Sequence, residues 1–542
     1  MEVDYLVVGA GSAGCILAHR LSAAGASVLV LEAGPSDWHP MIHVPAGMMK
    51  LIANPAVNWN FLTAPEKNLK GRQIHWPRGR VLGGSSAING MAYVRGNAED
   101  FNHWQRLGCE GWDYESVLPF FKASERYAGG DEHYRGREGL IPVSDYTPPL
   151  EITKTFVEAA RQKGFAFTED INGSRQEGVG FFQMTRSGRF RASTATTFLR
   201  AARAHPGLKI ETNATTSRLL FEGKTCVGVE YMQAGSPRIA RARKEVILSA
   251  GAIGSPQILQ LSGVGDPTHL AQIGVATRHE LPFVGQNLRD HARAALTYRL
   301  ASFGSVNELT RGWRLWREVM RWMVNGTGAL TYGVTSAAVF CRSSTAVGWP
   351  DLQILFTPVS FDESRPGALD TRPGVTLNIC PVRPESTGSV LAASRNPAEA
   401  PAIQPNYFSS PADMRTMLQG IRIGRDIMSA DIFKGVLTAE TQPGPQSDSD
   451  VELENYVRRT ANSVYHPIGT CRMGTDADAV VDSRLRVRGL ARLRVVDASV
   501  MPCLTTGNTA APTMMIAEKG AFMILEDSGR SPQIPLSRAN AA

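Results

Sequence analysis

The stretch from Asp4 to Glu32 restricts the fold more than any other part of the chain. Tyr5–Val8 is a short apolar run that enters Gly9-Ala10-Gly11-Ser12-Ala13-Gly14, a G-x-G-x-x-G turn. A helical pattern follows, with Ile16, Leu17 and Leu21 on one face, and a second strand-like run, Val28–Leu31, closes on Glu32. Strand, glycine turn, helix and strand in that order make a βαβ unit. Gly9 allows the tight turn, Gly11 lets a pyrophosphate approach the backbone, and Gly14 lets the helix pack close to the sheet. The first N–H groups of the helix then face an anion with the positive end of the helix dipole behind them. An acidic side chain at the end of the second strand can accept the hydroxyls of an adenosine ribose and would repel a 2′-phosphate, which argues against NADP. The unit predicts dinucleotide binding and leaves NAD and FAD both open.

A chain of 542 residues exceeds what one compact core supports, so two or more domains are expected. The net charge of +7 is modest and the arginines are scattered. The densest basic patch, Arg238–Lys244, precedes an apolar strand and lacks interleaved aromatics, so it reads as a solvated hairpin and no nucleic-acid partner is expected. Seven cysteines without a C-x-x-C pair favour unpaired thiols over a disulfide framework or a zinc site, and no metal is expected. Glu2 and Asp4 stand where a signal peptide would be basic, and no apolar run reaches the length that spans a bilayer. The expected location is cytoplasmic, with any membrane contact peripheral to the inner membrane.

After Gly34-Pro35 the chain runs to Trp76 with little periodicity, as a loop lying over a ligand would. The segment Arg78–Met91 carries Gly83-Gly84-Ser85-Ser86, which offers bare amides and hydroxyls to a phosphate or a flat ring, and Asn89-Gly90, a second point of close approach. Thr153–Lys163 and Arg191–Arg203 read as helices, the second capped near Ser193. Leu208–Glu211, Ser217–Phe221 and Cys226–Met232 read as strands. Val246–Leu259 repeats the strand, small-residue turn and helix of a doubly wound sheet, with Pro256 in the first helical turn. From about 294 to 459 the alternating runs Leu352–Phe356, Val375–Ile379 and Ser389–Ala393 fit an antiparallel sheet with helices beside it. Trp313–Val324 reads as an aromatic-rich helix that either packs into a core, the reading favoured by composition, or borders an apolar pocket. After 459 the earlier style returns, in a strand Leu493–Val496 and a final helix through Leu525.

Four segments in matching order resemble the glucose-methanol-choline (GMC) family of FAD oxidoreductases: GAGSAG with Glu32, GRVLGGSSAINGM from Gly79, GAIGSPQILQLSGVG from Gly251, and YHPIGTCRMG with VVDASVMP and GNTAAPT near the end. Within the family the chain looks most like bacterial FAD-linked primary-alcohol and choline-type dehydrogenases. The resemblance implies an α/β fold: a discontinuous, Rossmann-like FAD-binding domain (1–145, 186–293 and 460–528) with an inserted antiparallel-sheet α+β substrate domain (146–185 and 294–459), and a loose tail at 529–542. It implies FAD as cofactor, held by Gly9, Gly11, Ser12, Ala13, Gly14, Glu32, Ala33, Arg80, Gly83, Gly84, Ser85, Asn89, Gly90, Met91, Ala250, Gly251, Asp497, Ala498, Asn508 and Thr509. His466 falls on the catalytic histidine and Asn508 on the second active-site residue. His466 would accept the alcohol proton while the carbon-bound hydrogen leaves as hydride to flavin N5, with Asn508 orienting the substrate oxygen. Asp497 resembles the family's acid near the ribityl and phosphate groups; read locally, it is a strand-end helix cap.

The expected reaction is oxidation of a primary alcohol to an aldehyde, with electrons passed to a quinone or similar acceptor. An oxidase using O₂ and a hydroxynitrile lyase with FAD as a structural cofactor are the alternatives within the fold, and an NAD-binding non-redox module is the alternative outside it. Tyr332, Val334, Phe356, Val464 and Tyr465 are the candidate substrate-contacting residues, apolar enough for an aliphatic or aromatic alcohol. Some family members attach FAD through a histidine just before the asparagine of the second segment; here that position is Ile88, which has no nucleophile. Acid precipitation should therefore release all flavin colour to the supernatant, and a yellow pellet would contradict a non-covalent cofactor.

Overall fold

The computed structural model describes residues 1–146, 148–362 and 368–530; the part of the expected tail from 531 onward lies outside them. β1 (Glu2–Val8) and β2 (Val28–Leu31) run parallel, Tyr5 opposite Val28 and Val8 opposite Leu31, joined through α1 (Ser12–Ala23). Every residue of β2 is buried, which is why this strand reads as an unbroken apolar run rather than an alternating one. On its other edge β1 pairs in parallel with the 13-residue strand Ser236–Leu248, and that strand pairs in parallel with Leu493–Val495. The sheet order is Leu208–Glu211, β2, β1, Ser236–Leu248, Thr225–Gln233, Ala214–Glu222, so one sheet is assembled from the beginning, middle and end of the chain. Arg238–Lys244 lies in one arm of the hairpin formed by Thr225–Gln233 and Ser236–Leu248: Arg238, Arg241 and Arg243 point to solvent while Ala240 and Ala242 are buried. The C-terminal helix Ala510–Asp527 packs on α1, and Arg20 reaches across to the buried Glu518 at 2.7 Å.

A second sheet has the order Leu437–Gln442, Ala292–Leu300, Gly374–Pro381, Leu352–Thr357, Ala337–Cys341, Gly178–Phe181, every pair antiparallel. The helices Glu151–Gln162 and Pro411–Met428 bury their apolar faces against it. Three expectations are corrected. The run from Ser389 does not join this sheet; Ser389–Leu391 pairs only with Ala402–Gln404 in a separate ribbon. The helix expected over Arg191–Arg203 forms only over Ala195–Ala202, wide-wound through Leu199 and α-helical from Arg200, with the Ser193 hydroxyl accepting the Thr196 N–H at 3.2 Å at its start. The Trp313–Val324 helix forms, over Gly312–Asn325, but its aromatic face is not in a core: Trp313 is 66% and Trp316 72% exposed.

Beneath the segment that carries Asn89–Met91 lies a buried ionic network. Glu125 is fully buried and binds the guanidinium groups of Arg95 and Arg135, while its carboxylate also accepts the Gly136 N–H at 2.9 Å. Arg135 continues to Asp170 at 2.6 Å and to the Gln183 amide oxygen at 2.9 Å. Asn172 closes the network, accepting the Arg95 N–H at 2.7 Å and donating to the Tyr93 carbonyl at 3.0 Å. Removing one partner leaves charges buried and unpaired. Glu125→Ala should cost about 3–5 kcal/mol of stability, read as a lower urea midpoint; an unchanged midpoint would show that the network carries no stability.

Candidate active site

His466 follows Tyr465, whose backbone sits at φ 69°, a conformation unfavourable for a bulky residue. The surroundings impose it. Tyr465 N–H donates to the Ser463 hydroxyl at 2.6 Å, the Tyr465 carbonyl accepts from the Arg78 guanidinium at 2.6 Å, and His466 N–H donates to the Asp290 carboxylate at 2.7 Å. Asp290 is buried and also accepts the hydroxyls of Ser463 and Tyr407. Burial raises its pKa, and burial likewise holds Arg78 down to about 10.

Hydrogen bonding determines which nitrogen of His466 carries its proton. His291, fully buried, lies 2.9 Å by Nε2 from the Val382 carbonyl, which can only accept. Nε2 of His291 therefore carries the hydrogen, and in the neutral ring Nδ1 is an acceptor. That Nδ1 is 3.0 Å from Nδ1 of His466, the rings meeting edge to face at 88°. His466 must donate from Nδ1, which leaves its Nε2 as a bare lone pair. Asn508 points its amide nitrogen at that lone pair from 3.1 Å, and its amide oxygen is buried without a partner. Burial, reinforced by the neighbouring His291 and Arg78, holds the His466 pKa well below the ordinary 6.5; burial takes His291 down to about 4. Both rings are thus neutral at physiological pH. An acceptor nitrogen and an adjacent donor converge on one point, and a hydroxyl there could donate to the first and accept from the second.

Several of the expected cofactor residues meet at the glycine turn of β1 and α1. A Cβ on Gly14 would lie 1.9 Å from the Gly9 carbonyl, and one on Gly84 would lie 2.7 Å from the Gly11 Cα, so the Gly83–Ser85 loop is pressed onto the turn. Gly83 N–H donates to the Ala10 carbonyl at 2.8 Å, and Gly79 N–H to the Ser85 hydroxyl at 3.2 Å. By contrast, Cβ atoms on Gly11 and Gly251 would meet nothing within 4 Å, and one on Gly90 only the Met48 sulfur at 3.6 Å. Ser12 and Ala13 open α1 beside that space. Glu32 is buried, its oxygens accepting the N–H groups of Ala10 at 2.9 Å and Gly34 at 2.8 Å, and burial raises its pKa to about 7. Ala33 is the intervening residue. Arg80 lies over Trp59 with a buried Nε that has no protein partner. Asn89 accepts the Met91 N–H at 3.0 Å and Arg191 at 2.9 Å. Asp497 is a cap twice over, accepting Ser499 N–H at 2.8 Å and, at the start of the Gly251 helix, Gly251 N–H at 2.9 Å, with Ser255 at 2.6 Å. Ala498 opens the turn that Asp497 caps, Ala250 precedes the Gly251 helix, and Thr509 precedes the final helix beside Asn508. Open space lined by glycine backbone, an unpartnered buried guanidinium nitrogen and an unpartnered amide oxygen fit a long, polar, flat-ended dinucleotide.

Among the substrate candidates, Val464, two residues before His466, is partly buried against a cluster of Val94, Ile171, Phe182, Ala338, Phe340 and Leu355. Phe356 is corrected: it is fully buried and stacked on Phe156 at 4.4 Å, on the opposite face of the sheet from Leu355. Strand alternation puts the two neighbours on opposite faces. Tyr332 stacks on Tyr146 at 5.0 Å and donates to the Pro148 carbonyl at 3.0 Å; Val334 is half-buried nearby in sequence, and Tyr465 packs partly on the sheet core. Asp290 and His291 were absent from the sequence candidates. The only signal for them is a charged pair, Asp-His, in the Asn287–His291 segment where the sequence pattern changes. All seven cysteines are free, and among the described residues no cluster of His, Cys, Asp or Glu is placed to hold a metal.

The chain matches the N-terminal domain of the GMC oxidoreductase family over residues 3–293 and the C-terminal domain over residues 384–517. It belongs to the GMC oxidoreductases, and as a member it is an enzyme whose cofactor is FAD. It is 42% identical to an alcohol dehydrogenase [acceptor] of Pseudomonas putida, covering 96% of this chain and 95% of the relative. It is also 42% identical to an oxygen-dependent choline dehydrogenase of Chromohalobacter salexigens, covering 98% and 96%. The fold superimposes on pyridoxine 4-oxidase from Mesorbium loti with a TM-score of 0.87 at 30% identity, covering 96% and 98%. On the formate oxidase of Aspergillus oryzae RIB40 the TM-score is 0.91 at 27% identity, covering 97% and 99%.

Proposed function

We propose that this enzyme oxidises an apolar primary alcohol to an aldehyde and passes the electrons to a quinone-like acceptor, with FAD held non-covalently. One observation carries the reading: the Val382–His291–His466 chain presents a bare imidazole Nε2 beside the amide of Asn508. An incoming alcohol takes the place of the direct Asn508–His466 bond, donating its hydroxyl hydrogen to Nε2 and accepting from the Asn508 amide. FAD, when bound, supplies the acceptor for the hydride. His466 removes the hydroxyl proton as the C–H bond breaks, which generates alkoxide character only where the hydride can leave. His291 is a positioning residue: it receives the Nδ1 hydrogen of His466 and so keeps the opposite nitrogen free. Asp290 and Arg78 fix the Tyr465–His466 peptide unit from both of its polar ends.

The cluster of Val94, Phe182, Phe340, Leu355 and Val464 supports an aliphatic or aromatic alcohol, since such pockets are mostly apolar with a few polar anchors. The alcohol dehydrogenase [acceptor] of P. putida supports the same class and an acceptor other than NAD. The grip on FAD is assigned to the βαβ turn, Glu32 and the Gly83–Met91 loop. The first sheet with its helices forms the cofactor domain, and the second sheet forms the substrate domain.

Anaerobic stopped-flow reduction of the bound flavin with an alcohol panel tests the reading. His466→Ala should slow reduction by roughly 10²–10⁴-fold, the usual worth of a general base. His291→Phe should cost about 10²-fold by releasing the ring, and His291→Asn, whose amide oxygen can still accept the Nδ1 hydrogen, should recover part of it. Flavin that stays oxidised with every alcohol, or that polyols reduce faster than medium-chain alcohols, would overturn the assignment.

A further inference from the structure

The Gly312–Asn325 helix is amphipathic, and its apolar side faces water. At 100° per residue, Met323, Trp316, Met320, Trp313 and Val324 fall within about 100° of arc, and they are 56%, 72%, 53%, 66% and 67% exposed. The orientation is locked from beneath. Glu318, on the inner face, accepts the Ala329 N–H at 2.8 Å; Trp322 donates from its indole to the Arg189 carbonyl at 3.0 Å; and Arg189 donates back to the Trp322 carbonyl at 3.1 Å. Phe190 meets Trp322 edge to face at 5.8 Å and is itself 47% exposed. The helix therefore cannot roll its tryptophans inward without breaking these bonds. Isolated exposed apolar residues need no explanation, but a contiguous stripe of two tryptophans and two methionines on a rigid helix marks a contact surface.

Charge identifies what the surface meets. Arg317, Arg321 and Arg314 follow one another along the Val324 edge of the apolar arc, and Arg314 lies 4.3 Å from the ring of Phe303, which is 68% exposed. Glu318 is the one acid of the helix, and its side chain is buried, bound to Arg321 at 3.1 Å and near Arg317 at 3.7 Å. No carboxylate of the helix is therefore presented alongside the arginines. A second copy meeting this face about a two-fold axis would set arginine against arginine. Tryptophan at the boundary, methionine and valine beneath it, and arginines whose stems can reach past them are the composition of a helix lying in a bilayer interface. Among the described residues no helix is long and apolar enough to cross a membrane.

We propose that the Gly312–Asn325 helix docks this protein on an anionic lipid surface, lying in the plane of the bilayer with Trp313, Trp316, Met320, Met323 and Val324 inserted and the arginines at the headgroups. The segment that follows the helix reaches Gly333, where an added Cβ would lie 2.7 Å from the Gly90 carbonyl, so the chain after the docked helix runs against the Asn89–Met91 loop. A bilayer is also where an apolar alcohol and a lipid-soluble acceptor concentrate.

Co-sedimentation of the holoenzyme with vesicles tests docking without reading activity, so its failure is distinct from failure of the proposed reaction. The protein should bind phosphatidylglycerol–phosphatidylcholine vesicles, bind vesicles of phosphatidylcholine alone far less, and release as salt is raised. The double variants Trp313→Ser/Trp316→Ser and Arg314→Glu/Arg317→Glu should each lower partitioning at least about tenfold, with the flavin spectrum and melting temperature unchanged. Failure to bind anionic vesicles, or undiminished binding by both variants, would overturn the proposal. So would a concentration-dependent dimer that the tryptophan variant dissociates, because a second copy would then own the face.

Discussion

Close contact between backbones at the β1–α1 turn is the constraint on which the rest of the structure depends. A Cβ on Gly9 would lie 2.5 Å from the Ser249 carbonyl, and the Gly14 and Gly84 positions are tighter or nearly as tight against Gly9 and Gly11. Three segments far apart in sequence, the N-terminal turn, the Gly83 loop and the strand end at Ser249, therefore meet where no side chain stands between them. Leu493–Val495 adds a fourth through the same central strand. The same sheet that forms the turn thus carries, through Leu493–Val495, the segment leading to Asn508, while His466 and His291 adjoin the antiparallel pair Asn462–Ser463 and Ala292–Leu300 of the second sheet.

The second requirement is electrostatic. His466 and His291 are buried side by side, and neither ring has a carboxylate partner among its hydrogen bonds. Asp290 is nearby but spends its oxygens on the His466 main chain, Ser463 and Tyr407. The acid therefore holds the loop rather than charging the ring, and burial keeps both imidazoles neutral. A chain of one carbonyl and two rings then has a single hydrogen-bonding solution, with Nε2 of His466 the unprotonated, accepting nitrogen that faces the Asn508 amide. A carboxylate in place of His291 would favour an imidazolium, the wrong state for a proton acceptor.

Much of this was legible in the residues. The period of the apolar pattern and the glycine spacing gave the βαβ unit, and family resemblance placed His466 and Asn508 together although 42 positions separate them. The His291 contact was not legible, because a hydrogen bond across 175 residues leaves no local periodicity. Phe356 shows a different limit: an apolar run in a strand buried on both faces does not say which face each neighbour takes, and Leu355 and Phe356 pack into different buried clusters. Trp313–Val324 shows a third. Amphipathic spacing reveals that one face is apolar, but not whether protein or another phase covers it.

The pH dependence of anaerobic flavin reduction by a saturating primary alcohol tests the central claim most directly. A neutral His466 whose pKa lies well below 6.5 is in its accepting form throughout the neutral range, so the reduction rate should be level from about pH 6 to pH 8 and fall only under more acid conditions. A rate that rises through pH 6.5–7.5 in the wild type, and that His466→Ala makes level, would show an ordinary, protonatable histidine and contradict the account.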